Sequence, residues 1–241
     1  MTDIENVLEY LRKKTTGETE NTKGNFNKMY LVGAKLSGAN LEGVNLSFAD
    51  LTDANLSGAN LIDANLTGAN LTRANLKKAF LKDAILKNAN LKDANLVMAK
   101  LKGANLAGAE ISKADLSGVD LIGANLVETN LTKAVLEGAY IRGANLLAAN
   151  LADTNLMRAD FSAADLIRAC LAGANMTKTN LTGANLSGAN LSDANLTFAR
   201  LSDADLSDAD LTIANLKGAS LSGVYLSEVK LTEEQLNQIK K

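Results

Sequence analysis

The fold is decided by a block that reads Ala54-Asn55-Leu56-Ser57-Gly58 and by the next one, Ala59-Asn60-Leu61-Ile62-Asp63. Each block has a small residue, a polar residue and a leucine, followed by two residues of the kinds that are common in turns. Every fifth residue from Phe26 to Leu226 is large and apolar, which makes (226 − 26)/5 + 1 = 41 positions. The register never slips, so a period of five governs most of the chain.

The two apolar positions of the repeat are strict in their composition. The large position departs from Leu at only a few places, Phe26, Ile111, Ile141, Phe161 and Met176. The position two residues earlier is Ala in 33 of the 41 repeats. Neither the helical period of about 3.6 nor the strand period of about 2.0 keeps residues five apart on one side. The chain is therefore predicted to turn a corner every five residues, with Ala and Leu pointing inward and the polar residue between them pointing outward.

This pattern resembles the A-(D/N)-L-x-x signature of the pentapeptide-repeat family, and the resemblance covers residues 24–230. It implies a right-handed quadrilateral parallel β-helix, in which four blocks make a coil of about 20 residues and the coils stack about 4.8 Å apart. We therefore predict an all-β solenoid of about ten coils with short helical caps at both ends. The five-residue corner follows from the sequence itself, whereas the square coil and its handedness are what the resemblance implies.

Residues 1–23 are predicted to form a capping helix and a polar linker, since an exposed end of a solenoid invites aggregation. Thr2 and Glu5 fit a capping box that starts the helix. The helix is expected to end near Lys14 and to carry one apolar stripe, formed by Ile4, Val7, Leu8 and Leu11. The polar run 15–23 then leads to the first coil.

Residues 231–241 carry a similar signal at the other end. Thr232 and Gln235 form a second capping-box pattern, with Leu231 and Leu236 placed as a hydrophobic staple and Ile239 on the same side. Two interpretations stay open at this point. The segment is either a second cap or, as the resemblance implies for some relatives, a site of homodimerisation through the C-terminal end.

Composition disfavours several classes of function. The formal net charge of -2 and the pI near 5.3 lack the basic excess that nucleic acids and membrane surfaces attract. The chain has no His, and residues on the outside of a flat-sided prism diverge, so we expect no catalysis, no metal and no cofactor. The single cysteine, Cys170, and the lack of an apolar leader or membrane-length apolar segment predict a cytoplasmic protein.

Two adjacent sides of the predicted prism stand out, because positions 20 apart would stack in columns. Face A includes residues 139–143 and their equivalents, and it combines aromatic, aliphatic and basic residues, namely Phe80, Lys82, Lys100, Lys102, Ile122, Tyr140 and Arg142. Face B includes residues 144–148 and their equivalents, and Ile85 and Lys87 are followed there by an apolar column of Ala107, Val127, Leu147 and Ile167. This pattern predicts either a surface for a partner or for self-association, or drift to aliphatic residues that suit strands.

Charge is also banded along the axis, and it bears on function. Residues 73–113 hold nine basic and three acidic residues, 9 − 3 = +6, whereas residues 193–210 hold one Arg and five Asp, 1 − 5 = -4. We predict a non-enzymatic scaffold that presents flat faces to another protein. The alternative is implied by relatives that protect DNA gyrase from quinolones by imitating DNA with a strongly acidic prism. It fits this chain poorly, because the middle of the chain is basic.

Overall fold

A computed structural model describes residues 2–16 and 24–235. One helix, α1, spans Asp3–Thr16, and a stack of coils follows from residue 24. The coils are joined by single-residue parallel bridges in place of longer strands. The bridges run from Asn25↔Asn45 to Asp210↔Lys230, and each links a residue to the one 20 positions later. Twenty residues therefore make one coil, as the sequence and the family resemblance together predicted.

Backbone hydrogen bonds join neighbouring coils at three places on each side. Leu56 donates its N–H to the carbonyl of Asn75 at 2.8 Å, and Asn75 donates to the carbonyl of Ala54 at 2.9 Å. A third bond runs at the corner, from the Gly58 N–H to the carbonyl of Lys77 at 2.9 Å. Because the same set recurs along the stack, each coil provides the hydrogen-bond partners that the next coil needs.

The corners are turns with a left-handed second central residue. The Ala59 N–H donates to the carbonyl of Leu56 at 3.0 Å, and Gly58 between them has φ 65°. This is the pattern of a type II turn, which requires positive φ at that position. Asp63 fills the equivalent corner with φ 55°, in a region that Asp tolerates better than most residues. The two turn residues predicted for each block are thus confirmed.

The interior is the ladder of Leu and Ala that the sequence predicted. Leu106 and Ala104 are fully buried, as are their equivalents in the central coils. Each buried Leu contributes about 1.5–3 kcal/mol of transfer free energy, which chain entropy largely offsets. Three Thr replace Ala in the inner column, and each satisfies its hydroxyl by donating to a Leu carbonyl. The pairs are Thr129 with Leu126, Thr154 with Leu151 and Thr179 with Leu156.

Helix α1 packs against the first coil. Its predicted capping box is present, with the Thr2 N–H donating to Glu5 at 2.6 Å and the Glu5 N–H donating to Thr2 at 3.2 Å. Val7 is fully buried, and the ring of Tyr10 meets Phe26 edge to face with 5.2 Å between centroids. The prediction that Leu8 belongs to the buried stripe is wrong, since Leu8 is 48% exposed. Tyr10 packs against the core instead, together with Ile4 and Leu11.

Side chains from both terminal segments replace the hydrogen bonds of a missing coil. Asp3 accepts the Tyr30 N–H at 2.7 Å, and Lys14 donates to the Asn40 carbonyl at 3.5 Å. At the other end residues 233–235 are helical, and the predicted capping box joins Thr232 and Gln235 at 2.7 and 3.3 Å. Gln235 also donates to the carbonyls of Leu211 and Ala214 at 2.7 and 2.8 Å. Leu236 and Ile239 lie outside the described residues.

Candidate interaction surface

The polar residue between Ala and Leu has a structural task. Asn125, for example, accepts the N–H of Val127 on its side-chain oxygen at 3.1 Å. Every Asn or Asp at this position from Asn25 to Asn215 makes the same bond to the residue two places later. Such Asx-type bonds stabilise turns. The sequence had marked these residues only as outward-facing, so their role in the corner is a finding of the structure.

Residues that replace Asn or Asp at this position occur on all four sides, and they are slightly more frequent on face A than on face C. They fill five of the ten described positions on face A, as Phe80, Lys100, Tyr140, Arg200 and Ser220. The counts on the other sides are two of 11 on face B, four of 11 on face C, which includes residues 149–153, and two of ten on face D, which includes residues 154–158. Each replacement that cannot accept the turn hydrogen bond forgoes about 0.5–1.5 kcal/mol.

The structure brings the predicted residues of face A onto one side. The bridges Phe80↔Lys100, Lys100↔Asp120 and Asp120↔Tyr140 show that they lie on successive coils. Phe80 and Tyr140 are 48% and 54% exposed and stand three coils apart, which is about 14 Å. Four basic residues are exposed beside them, Lys82, Lys100, Lys102 and Arg142, while Ile122 is half-buried. Face A is therefore a mixed aromatic and basic surface.

The apolar column of face B is continuous across four coils. Backbone bonds at 2.9 Å connect Gly108 to Val127, Glu128 to Leu147 and Ala148 to Ile167. Leu147 is 37% exposed, whereas Val127 and Ile167 are half-buried. The side chains of the column are thus less exposed than the sequence suggested, because stacked neighbours cover the sides of each residue.

The edge between faces A and B carries glycine in the middle of the stack. Gly103, Gly123 and Gly143 occupy this edge with φ 69°, 64° and 63°. A Cβ added at Gly123 or Gly143 would meet no atom within 4 Å. Sequence reasoning overlooked this edge, although Gly recurring every 20 residues was a visible signal.

The charged groups on this surface are mostly exposed to solvent. Lys82 pairs with Asp83 at 3.5 Å, and both side chains are about half exposed, so water screens the pair. Partial burial alone would raise the pKa of Asp160, but hydrogen bonds from Ser162 and Asn180 outweigh it. These bonds, with a smaller contribution from Arg142, lower the pKa of Asp160 below its ordinary value. Asp160 therefore stays ionised beside the basic residues of face A.

Other candidate sites gather no reactive groups. Cys170 lies on face C, half-buried and not bonded to another cysteine. Within residues 2–16 and 24–235, no group of three or more His, Cys, Asp or Glu could hold a metal ion. In the same part of the chain, no helix is both long and apolar enough to cross a bilayer.

Coils of 20 residues, an inner Leu ladder and Asn-braced corners define a stacked-coil repeat protein. The family model for pentapeptide repeats matches the chain in overlapping segments from residue 30 to residue 233. The chain belongs to the pentapeptide-repeat family, and the family predicted from the sequence is confirmed.

The solved structure of one relative, HetL, supports this assignment. HetL from the cyanobacterium Nostoc sp. strain PCC 7120, which is involved in heterocyst differentiation regulation, is 33% identical with a TM-score of 0.60. That match covers 91% of this chain and 96% of HetL, and such relatives are right-handed β-helices. QnrB1, a plasmid-mediated fluoroquinolone resistance protein, is 22% identical with a TM-score of 0.45, covering 79% and 94%. A thylakoid-lumen member from Arabidopsis thaliana is 28% identical with a TM-score of 0.23, covering 52% and 73%. A comparison with curated proteins gives no match.

Proposed function

We propose that the protein is a non-enzymatic cytoplasmic scaffold, a prism of about ten coils with helical ends that binds another protein through faces A and B. The observation that carries the proposal is the replacement of turn-bracing Asn or Asp at half of the face A positions. Four of the five side chains found there, Phe80, Lys100, Tyr140 and Arg200, give up a stabilising bond and project aromatic or basic groups instead. In this proposal, binding of a partner offsets the loss.

The composition of the surface indicates what the partner offers. The aromatic rings of face A and the aliphatic column of face B favour an apolar patch, and exposed aromatic residues are common anchors of protein interfaces. The lysines and Arg142 around them favour acidic groups at the rim of the contact. Since the backbone of each coil is fixed by its neighbours, the surface is ordered before it binds, which limits the entropy lost on association.

Imitation of DNA, the alternative function, is not supported by the surface. A phosphate-like prism needs rows of carboxylates, but face A carries four exposed basic residues in its middle coils. The fluoroquinolone resistance belongs to QnrB1, and we do not propose it for this chain. A gyrase supercoiling assay with and without a fluoroquinolone tests the alternative, and we expect neither inhibition nor protection.

The test of the scaffold is a double substitution in face B, Val127→Lys with Leu147→Lys. Its matched control is Val97→Lys with Met157→Lys, which adds the same charges at the same repeat position on face D, the opposite side. Proteins captured from native lysate are compared by quantitative mass spectrometry. We expect the face B variant to lose partners that the control keeps, with unchanged circular dichroism. Equal recovery by both variants contradicts the proposed surface.

A further inference from the structure

We propose that face B binds a second copy of this chain, antiparallel, about a two-fold axis that passes over Leu147 and Ala148. The proposal rests on the proposed function, since it names a second copy of this chain as one partner of face B. It is carried by the turn residues of face B, which form two adjacent columns, the second of them on the edge between faces B and C. The first column runs Lys87, Ala107, Val127, Leu147, Ile167, Ser187, Ser207, and the second runs Asn88, Gly108, Glu128, Ala148, Arg168, Gly188, Asp208.

Both columns are self-complementary about their centre. Glu128 and Arg168 lie one coil to either side of Ala148, since 148 − 128 = 168 − 148 = 20. Gly108 and Gly188 lie two coils away, and Asn88 and Asp208 lie three, since 148 − 88 = 208 − 148 = 60. In the first column Val127 and Ile167 flank Leu147 by one coil, and Lys87 lies three coils before it. Apolar groups are thus central, small groups are intermediate and charges are paired by opposite sign.

A two-fold rotation turns this symmetry into contacts. Each position before the centre meets the position equally far after it on the second copy, as in any isologous interface. Leu147 meets the centre of the second copy, and Val127 lies beside its Ile167. Glu128 approaches Arg168 of the second copy. Lys87 faces Ser207 of the second copy, and its long side chain extends toward Asp208 in the next column of the same coil. Each of these ion pairs occurs twice.

The same charges exclude a parallel pairing. In a parallel arrangement in register, Lys87, Glu128, Arg168 and Asp208 would each lie on the same coil level as their own copy, which places like charges near each other at four levels. Repulsion of this kind selects one orientation among several that bury the same apolar area. All four charged residues are exposed, so they are accessible to the second copy. Face C lacks this combination, because Thr132, Ala152 and Ala172 stand where the aliphatic residues of face B lie.

The size of the contact predicts a weak dimer. The strip from Lys87 to Asp208 spans seven coils, which is about 34 Å at about 4.8 Å per coil. With a side of about 10 Å, the distance between packed sheets, the footprint is about 340 Å² for each copy. Stable complexes bury about 800 Å² for each partner. We therefore expect reversible association that weakens as salt screens the four ion pairs.

The experiment is a charge swap divided between two variants, Lys87→Glu and Asp208→Lys, followed by analytical ultracentrifugation. Both changes have precedents in the fold, because Glu42 and Glu137 fill equivalent turn positions and Lys113 and Lys133 fill equivalent left-handed corners. Each variant alone converts two attractive contacts into repulsive ones, so its dimer dissociation constant rises at least about tenfold. An equimolar mixture recovers dimers, because the mixed pair has opposite charges at both contacts. The matched control is Lys92→Glu with Asp193→Lys on face C, which leaves the dimer unchanged.

Several results would overturn the inference. The first is a wild-type chain that stays monomeric up to a protein concentration of about 1 mM, a limit typical of weak contacts. The second is a mixture of the two variants that fails to recover dimers. The third is an assembly that grows beyond two copies. The outcome is separable from that of the proposed function. A monomeric chain whose face B variant still loses lysate partners removes the dimer and keeps the scaffold. A dimer whose face B variant keeps every lysate partner removes the scaffold and keeps the dimer.

Discussion

The Asn brace at the corners gives a quantitative prediction from two substitutions, Asn105→Ala and Asn130→Ala. Asn105 makes one such bond, accepting the Ala107 N–H at 3.1 Å. Asn130 accepts both the N–H and the hydroxyl of Thr132 at 3.1 and 2.9 Å and donates to the Glu110 carboxylate at 2.7 Å. At about 1 kcal/mol for a neutral bond and about 1.5–3 for one to a charge, Asn105→Ala should cost about 1 kcal/mol and Asn130→Ala about 3–5.

Hydrogen exchange at single amides measures these costs locally, which suits a stack of coils whose stability depends on nearest neighbours. The Ala107 amide should exchange about fivefold faster in Asn105→Ala, and the Thr132 amide at least about a hundredfold faster in Asn130→Ala, at tenfold for each 1.4 kcal/mol. Val135→Asn is the converse control, since it introduces an acceptor where the chain has none at this repeat position and should slow exchange at Glu137. Equal, small effects at Ala107 and Thr132 would refute the brace.

Two further predictions concern acid and the N-terminal end. Partial burial alone would raise the pKa values of Glu110 and Asp160. Hydrogen bonds from Ser112 and Asn130 outweigh this effect at Glu110 and lower its pKa below the ordinary 4.5. Hydrogen bonds from Ser162 and Asn180 do the same at Asp160 and lower its pKa below the ordinary 3.8. The stability that these two carboxylates contribute is complete above about pH 4.5 and is lost as the pH falls through their lowered pKa values in the folded protein. The thermal unfolding temperature should therefore decrease below about pH 4.5, and it should decrease less in Asp160→Asn. Asp3→Ala removes the 2.7 Å bond to the Tyr30 N–H and should speed amide exchange in the first coil, with the central coils as an internal control; uniform acceleration along the stack would contradict the local role.

Much of the architecture could be predicted from the period of the sequence. An apolar residue at every fifth position cannot stay on one side of a long helix or strand, so the inward ladder of Leu56, Leu61 and their equivalents followed from geometry. The capping boxes at Thr2 and Thr232 were also legible, because they depend on residues only three positions apart. The exposure of Leu8 could not be predicted from the sequence, since it depends on how α1 packs against the first coil.

The candidate surface divides in the same way. The sequence predicts that the residues of faces A and B stack in columns, and the bridges between residues 20 apart confirm this stacking, while their role in binding a partner stays a prediction. The role of Asn125 and its equivalents was not visible, since a polar residue pointing outward is ordinarily solvated and its bond to the residue two places later depends on the turn conformation. The open edge at Gly123 and Gly143 likewise required knowledge of which sides meet at which corner.

The sequence by itself determined the corner every five residues, the identity of the buried ladder and the alternation of small, polar and large groups, because these depend on contacts within a few residues. Tertiary structure decided which residues become neighbours. Leu147 lies beside Val127 and Ile167 only because four corners close one coil and backbone hydrogen bonds hold the next in register. The physical reason is that surfaces of a solenoid are assembled across coils, through bonds between residues 20 apart that no local pattern specifies.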